Sequence, residues 1–269
     1  MSRVLFSIGP ITVYWYSFLI LVAVLLGYEI AISYSKRIHY HSMDITDMVL
    51  YVVIWGIIGA RLYYVIFNFS DFQSNLLGIV QIWRGGLAIY GAILGAGSYV
   101  FYYCSKKKID FIRVLDIYSL SLLLGQMIGR WGNFFNQEAY GGITTYEALK
   151  SLFIPEFIIK GMYIDGAYRH PTFLYESLWC FVGVIVLYFI RKKYSSHYGR
   201  QFSFYLLWYG LGRFFIEGLR SDSLYIGSLR VSQVLSLLLF VIGVVWSIYV
   251  WKKHHVKINY VSETNNGRI

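Results

Sequence analysis

Long apolar runs dominate the chain, without the strict alternation of strands or the one-sided period of surface helices. Stretches near residues 12–32, 46–67, 87–104, 115–131, 172–190, 203–219 and 230–251 each approach the ~20 residues that a helix needs to cross a hydrocarbon core of about 30 Å. The fourth and sixth carry charge inside them. The first exceeds the apolar core of a secretory signal and has no obvious small-residue cleavage site behind it, so it reads as a retained span. The expectation is an all-α integral membrane protein of about seven transmembrane helices. It forms a single polytopic membrane domain over residues 1–269, with a small external cap at about 132–171 and a short polar tail at about 252–269. The cap is punctuated by Gly141, Gly142, Thr144, Thr145, Pro155, Gly161 and Gly166.

Composition supports this reading. Of 269 residues, 57% are hydrophobic and only 14% charged, against about 25% charged in soluble domains; the mean hydropathy is +0.53. Three prolines and two cysteines rule out a disordered chain or a disulfide scaffold. Cys104 and Cys180 have no ligand spacing and are assigned no role. A net charge of +10 would suit nucleic acid only on a soluble module with a basic face; here the basic residues fall between apolar runs, so no nucleic acid is expected.

Those basic residues set the orientation. Fourteen Lys and Arg fall after the first, third, fifth and seventh runs, including Lys36, Arg37, Lys106, Lys107, Lys108, Arg191, Lys192 and Lys193, whereas seven lie on the opposite side. Cytoplasmic loops accumulate positive charge, so the N-terminus is placed outside and the C-terminus in the cytoplasm. His39, His41, His197, His254 and His255 then fall on the inner side as solvated loop residues, and no metal or cofactor site is indicated.

Arg61, Arg130 and Arg213 remain inside or at the end of spans. An ionisable side chain at mid-bilayer costs about 2.5–3.5 kcal/mol on insertion scales, so each needs a partner or a purpose. With the orientation above, all three lie in outward halves. Tyr16, Tyr90, Asn133, Asn136, Gln137, Glu138, His170, Glu176 and Glu217 collect at the same depth, and the inner halves offer almost nothing comparable. The pattern predicts a polar chamber open to the outer leaflet. Arg213 and Glu217 are four apart on one helix, with Tyr209 one turn earlier and Arg220 three residues later. A self-satisfied structural ion pair would explain that helix alone. Counting Arg61, Arg130, Arg213 and Arg220 against Glu138, Glu176 and Glu217 leaves a positive excess that an external anion such as a lipid phosphate would neutralise, and the guanidinium fork donates two parallel hydrogen bonds to phosphate. Gly91/Gly95 and Gly125/Gly129 have the spacing for close helix approach.

Specific strings then carry a resemblance. The segment Gly129-Arg130-Trp131-Gly132-Asn133-Phe134-Phe135-Asn136-Gln137-Glu138, followed by Gly141, resembles the signature of the prolipoprotein diacylglyceryl transferase family. So do Trp15-Tyr16, Gly59-Ala60-Arg61, Gly85-Gly86-Leu87-Ala88 through Gly91, His170-Pro171-Thr172 through Tyr175-Glu176, and Tyr209 through Arg213 to Glu217 and Arg220. The matches touch six of the seven expected spans in chain order. The resemblance implies a bacterial plasma-membrane enzyme with its active site on the extracytoplasmic side. It would transfer the diacylglyceryl group of phosphatidylglycerol to the thiol of the lipobox cysteine in preprolipoprotein signal peptides. A thioether forms and glycerol 1-phosphate leaves, the first step of bacterial lipoprotein maturation.

In that reaction negative charge moves toward a departing phosphate oxygen while a thiol loses its proton. Arg130 and Arg213 are the candidates to bind and stabilise the phosphate, with Asn133 orienting the headgroup. Cationic surroundings would also raise the thiolate fraction of a thiol whose ordinary pKa is about 8.5. Glu217 would hold Arg213, and Glu138 would organise the start of the cap. Tyr16 is carried over as a substrate-positioning residue, Arg61 as a structural or headgroup partner, and Gly141, Tyr209 and Arg220 as further substrate-binding positions. Many family members have His in the span-three motif where this chain has Tyr90, whose ordinary pKa of about 10 makes it a poor base. Tyr90 donating a hydrogen bond, His170 taking the proton, and deprotonation by water all stay open.

The rival from another class is a membrane transporter of an anionic substrate. It should show polar groups through the inner half or repeated halves, and neither is evident. A seven-helix photoreceptor fails because residues 230–251 hold no Lys for a Schiff base. A structural scaffold leaves the clustered Arg unexplained.

Overall fold

The computed structural model describes residues 2–9, 11–73, 75–194 and 198–252. His197, His254, His255 and all but the first residue of the expected tail lie outside them. Seven long helices occupy the apolar runs: α1 (Trp15–Arg37), α2 (Ser42–Phe67), α3 (Ile89–Lys107), α4 (Phe111–Asn136), α7 (Thr172–Lys193), α8 (Arg200–Leu219) and α9 (Val231–Lys252). The intervening α5 (Tyr146–Ser151) and α6 (Glu156–Gly161) belong to the cap. Five of the seven, all but α3 and α8, are long and apolar enough to cross a membrane. Helix α8 pays for its Arg213 and Glu217 in hydropathy.

Most helix ends shift by a few residues from the sequence reading, and two of these shifts bear on the site. The first apolar run, expected from about residue 12, begins in the second strand of a hairpin, β1 (Val4–Ile8) against β2 (Ile11–Tyr14), and turns helical only at Trp15, because β-branched apolar residues suit a strand as well as a span. Helix α4 runs to Asn136, so Asn133 and Asn136 sit in its last turn and not in the cap.

The described residues form two compact units, one comprising residues up to Ala31 and from Leu115 onward, the other Ile32–Val114. In the second unit α2 and α3 approach closely. A side chain on Gly91 would strike the Gly59 carbonyl, and one on Gly95 would strike the Trp55 carbonyl, as close backbone packing requires. Gly125 and Gly129 do not repeat this: among the described residues, no atom beyond their own stretch of helix stands within 4 Å of where their side chains would begin. Three 3₁₀ turns, η1 (Phe69–Phe72), η2 (Leu76–Val80) and η3 (Ile82–Arg84), join α2 to α3.

In the first unit the cap has its own core. The three-stranded antiparallel sheet β3 (Ile143–Thr144), β5 (Ala167–Arg169), β4 (Tyr163–Ile164) and helices α5 and α6 enclose Leu149, Ile154, Ile158, Ile159, Met162 and Ile164, which pack on Phe134 of α4 and Phe173 of α7. The Thr145 side chain caps α5 by accepting from the Ala148 N–H at 3.1 Å. On α6 the exposed Lys160 hydrogen-bonds Glu156 one turn away at 2.9 Å, and that bond holds the Glu156 carboxyl below its ordinary range. A last hairpin, β6 (Tyr225–Ile226) with β7 (Leu229–Arg230), leads into α9.

A polar cluster also lies at the other ends of α4, α7 and α8, where little was expected. Buried Asp116 accepts from the N–H groups of Gly199 and Phe202 at 2.7 and 2.8 Å and so caps α8. Arg191 donates to Gln201 Oε1 at 2.8 Å and to the Ile117 carbonyl at 2.8 Å. The cluster ties the last turn of α7 to α4 and to the first turn of α8.

Candidate active site

The cap ends of α4, α7 and α8 carry an alternating array of charge. Arg130, in the next-to-last turn of α4, places Nη2 2.9 Å from Glu176 Oε1. The other oxygen of Glu176, on the second turn of α7, lies 2.7 Å from Arg213 Nη1. Arg213 Nη2 reaches Glu217 Oε2 at 2.6 Å, one turn along α8. That oxygen is also 3.5 Å from Arg220 Nη1. Arg220 finishes the array with a two-bond fork on Asp222, Nε to Oδ1 at 2.9 Å and Nη2 to Oδ2 at 3.1 Å. Glu176 and Glu217 are almost wholly buried, at 2% and 1% exposure. A buried carboxylate survives only when paired, and Glu176 is the hub that joins three helices.

Polar groups flank the array on both sides. Arg130 Nη1 lies 3.4 Å from Asn133 Oδ1, and the Asn133 amide donates to Glu138 at 2.9 Å, as does that of Asn136 at 3.2 Å. The Tyr209 hydroxyl stands beside Arg130, and its ring stacks on Tyr205, which accepts from Gln126 at 3.0 Å. The Tyr16 ring, at the start of α1, covers Gly132, where a side chain would collide with it. A narrow cleft is lined by Arg130, Asn133, Thr172, Glu176, Arg213 and Arg220.

Backbone pairing holds the cap on this array. The Gly141 N–H donates to the His170 carbonyl at 2.9 Å, the His170 N–H to Gly142 at 3.0 Å, and the Gly142 N–H to Leu219 at 3.2 Å. A side chain at Gly141 would meet His170 Cβ at 2.7 Å, so glycine lets the three segments close. The Thr172 hydroxyl donates to the Ala139 carbonyl, and Asp222 accepts from the Ala139 N–H at 3.1 Å. His170 Nδ1 lies 3.1 Å from the Tyr175 hydroxyl.

The structure thus brings together Arg130, Asn133, Glu138, Gly141, His170, Tyr209, Arg213, Glu217, Arg220 and Tyr16 in one unit. Arg61 and Tyr90 belong to the other. Arg61 donates to four backbone carbonyls, those of Gly78, Ile79, Gly85 and Gly86, at 2.7–2.8 Å. Tyr90 stands on the first turn of α3, its ring 6.3 Å from that of Tyr63. The positive excess read from the sequence disappears, because Asp222 was not counted and Arg61 is committed to carbonyls. Arg130, Arg213 and Arg220 face Glu176, Glu217 and Asp222 one for one. The sequence reading gave Glu176 a depth but no role, named Tyr175 only within a family string, and missed Asp222, Tyr205 and Gln126. The helical spacing of four between Gln126 and Arg130, and between Tyr205 and Tyr209, was the available signal.

These features define a polytopic helical membrane protein with a buried arginine–carboxylate site under a small cap. The family model described as prolipoprotein diacylglyceryl transferase matches residues 3–249, and the chain belongs to that family. Curated relatives named phosphatidylglycerol–prolipoprotein diacylglyceryl transferase agree. The chain is 48% identical to that of Halalkalibacterium halodurans, with 90% of this chain and 83% of the relative covered. It is 46% identical to one from Listeria monocytogenes, covering 100% and 96%, and 47% identical to one from Bacillus cytotoxicus, covering 92% of each.

Proposed function

We propose that this chain transfers the diacylglyceryl group of phosphatidylglycerol to the lipobox cysteine thiol of preprolipoproteins, forming a thioether and releasing glycerol 1-phosphate. The carrying observation is the family match over residues 3–249; the arginine–carboxylate array supplies the chemistry the reaction needs. The C–O bond between the glyceryl carbon and phosphate oxygen breaks as the C–S bond forms, and the electron pair leaves on the phosphate. Arg130 and Arg213, fixed on either side of Glu176, hold guanidinium N–H groups where that charge grows, so little reorganisation is needed at the moment of transfer. Asn133, held by Glu138, and Tyr16 orient the headgroup. Tyr209 and Glu217 hold the guanidinium groups in place, and Arg220 and Gly141 tie the cap to them. With the arginines paired one for one, the thiol proton needs an acceptor: His170 and Tyr90 are the side chains to test as that acceptor or as a hydrogen-bond donor, with water as the alternative.

All seven long helices span the bilayer in this reading, with the N-terminus outside, the tail in the cytoplasm and the array under the extracytoplasmic cap of a bacterial plasma membrane. The distribution of Lys and Arg supports this orientation, and both substrates are membrane-borne. No feature of the array favours a transporter. The test is incubation of purified protein in phosphatidylglycerol membranes with a lipobox peptide, read by the mass of the added diacylglyceryl group. Product with phosphatidylglycerol is expected; none from folded protein refutes the reading.

A further inference from the structure

The segment joining α2 to α3 does not stay above its helices. Ala88 donates its backbone N–H to the carbonyl of Ala60 at 3.1 Å, and Ala60 lies seven residues before the last residue of α2, Phe67, about 10 Å back along the helix at 1.5 Å per residue. Helix α2 has 26 residues, about 39 Å against a core of about 30 Å, so with its excess shared between both ends the level of Ala60 falls about 5 Å inside the hydrocarbon. The chain therefore leaves α2 at Asn68, turns through η1–η3 and comes back down before α3 begins. This accounts for α3 being the shortest of the seven long helices at 19 residues: its first turn starts below the surface.

Irregular backbone at that depth needs partners for its carbonyls, because lipid supplies none. Arg61 supplies them. Its Nε donates to Ile79, its Nη2 to Gly78, and its Nη1 to both Gly85 and Gly86, all at 2.7–2.8 Å. Tyr64 and Phe72 cover the guanidinium, their ring centres 5.7 and 5.1 Å from Cζ. The outward side of the segment is apolar: Leu76, Leu77, Val80, Trp83 and Leu87 are exposed, Leu77 and Trp83 at 74% each. Asp71 and Arg84 are the only charged residues of the sequence between 68 and 88.

We infer that residues 68–88 form a re-entrant segment whose apolar side faces the acyl chains of the leaflet at the Phe67 end of α2, and that Arg61 is the clasp that lets its backbone sit there. The partner is lipid hydrocarbon, continuous with the lipid-facing sides of α2 and α3. Lysine cannot replace Arg61, because one ammonium centre cannot donate to four carbonyls spread over two turns of loop.

The experiment places an environment-sensitive fluorophore on Leu77→Cys or Trp83→Cys in protein reconstituted into phosphatidylglycerol–phosphatidylcholine vesicles. Native Cys104 and Cys180 are buried, and the parent protein gives the background. Both labels should be quenched by phospholipid carrying a nitroxide on its acyl chain, and by aqueous iodide about five-fold less than a label on Ser151→Cys in the cap. Iodide quenching equal to that of Ser151→Cys, or stronger quenching by a headgroup nitroxide than by an acyl-chain one, overturns the inference. Arg61→Lys should raise iodide access at both labels about three-fold; unchanged access in the folded variant removes Arg61 as the clasp. If that variant fails to fold, the two labels with Arg61 intact still decide the depth. Neither measurement needs a lipobox peptide or turnover, so the result is separate from that of the transfer reaction.

Discussion

Glu176→Gln tests whether the charge array is a working part. The substitution keeps the size of a side chain that is 2% exposed but removes the negative charge shared by Arg130 at 2.9 Å and Arg213 at 2.7 Å. Glutamine offers one acceptor and one NH₂ donor where two guanidinium groups both donate, so one charge-assisted bond becomes a donor facing a donor. That loss is worth about 1.5–3 kcal/mol. Two guanidinium groups are also left with no charge between them to offset their mutual repulsion, and the total approaches the about 3–5 kcal/mol measured when one partner of a buried pair is removed. If the two arginines must keep their spacing to meet a departing phosphate, a cost of about 3 kcal/mol appears as a loss of roughly 10² in kcat/KM. The assay is transfer from phosphatidylglycerol to a lipobox peptide in vesicles, with size-exclusion elution and thermal midpoint recorded on the same preparation. Glu176→Asp, which keeps the charge on a shorter arm, should lose less. A folded Glu176→Gln enzyme within about three-fold of wild type in kcat/KM would refute the claim that Glu176 sets the arginine geometry.

Arg130→Lys and Arg213→Lys keep charge but cannot bridge two partners, so each should lower kcat/KM by about 10² with normal membrane insertion; wild-type rates in the same assay would remove their proposed roles. Asp222→Ala removes both the partner of Arg220, a carboxylate 41% exposed, and the acceptor of the Ala139 N–H; solvent screening limits the ion-pair part to under about 1 kcal/mol, so the KM for phosphatidylglycerol should rise no more than about five-fold, while the lost Ala139 bond should lower the thermal midpoint. Gly91→Ala forces a methyl against the Gly59 carbonyl and should cost about 1–3 kcal/mol, read as a lower thermal midpoint in detergent. Tyr90→Phe and Tyr90→His should differ in their pH–rate profiles, because only histidine titrates near neutrality; identical wild-type profiles would show that Tyr90 has no chemical part.

What the sequence disclosed follows from what spacing encodes. A run of about 20 apolar residues has one cheap solution in a bilayer, so every expected span is a helix, and the cap stands between the fourth and fifth of them. Arg213 and Glu217 were legible as a pair because four residues along a helix place two side chains on one face. Arg130 and Glu176 were not: their meeting depends on how α4 and α7 are rotated about their own axes, and neither helix carries that information alone. The same limit explains the glycines. Gly91/Gly95 and Gly125/Gly129 share one spacing, yet only the first pair meets another backbone, since α2 offers Gly59 opposite it. Asp222 escaped notice because it lies beyond the end of α8, where no period applies and only the fold-back of the chain onto Arg220 makes it a partner. Arg61 shows the converse. Its depth in an apolar run was plain, but its partners are backbone carbonyls, which every residue has and no sequence pattern marks. A buried arginine that satisfies loop carbonyls looks, in sequence, the same as one that waits for phosphate, and only the path of residues 78–86 separates the two.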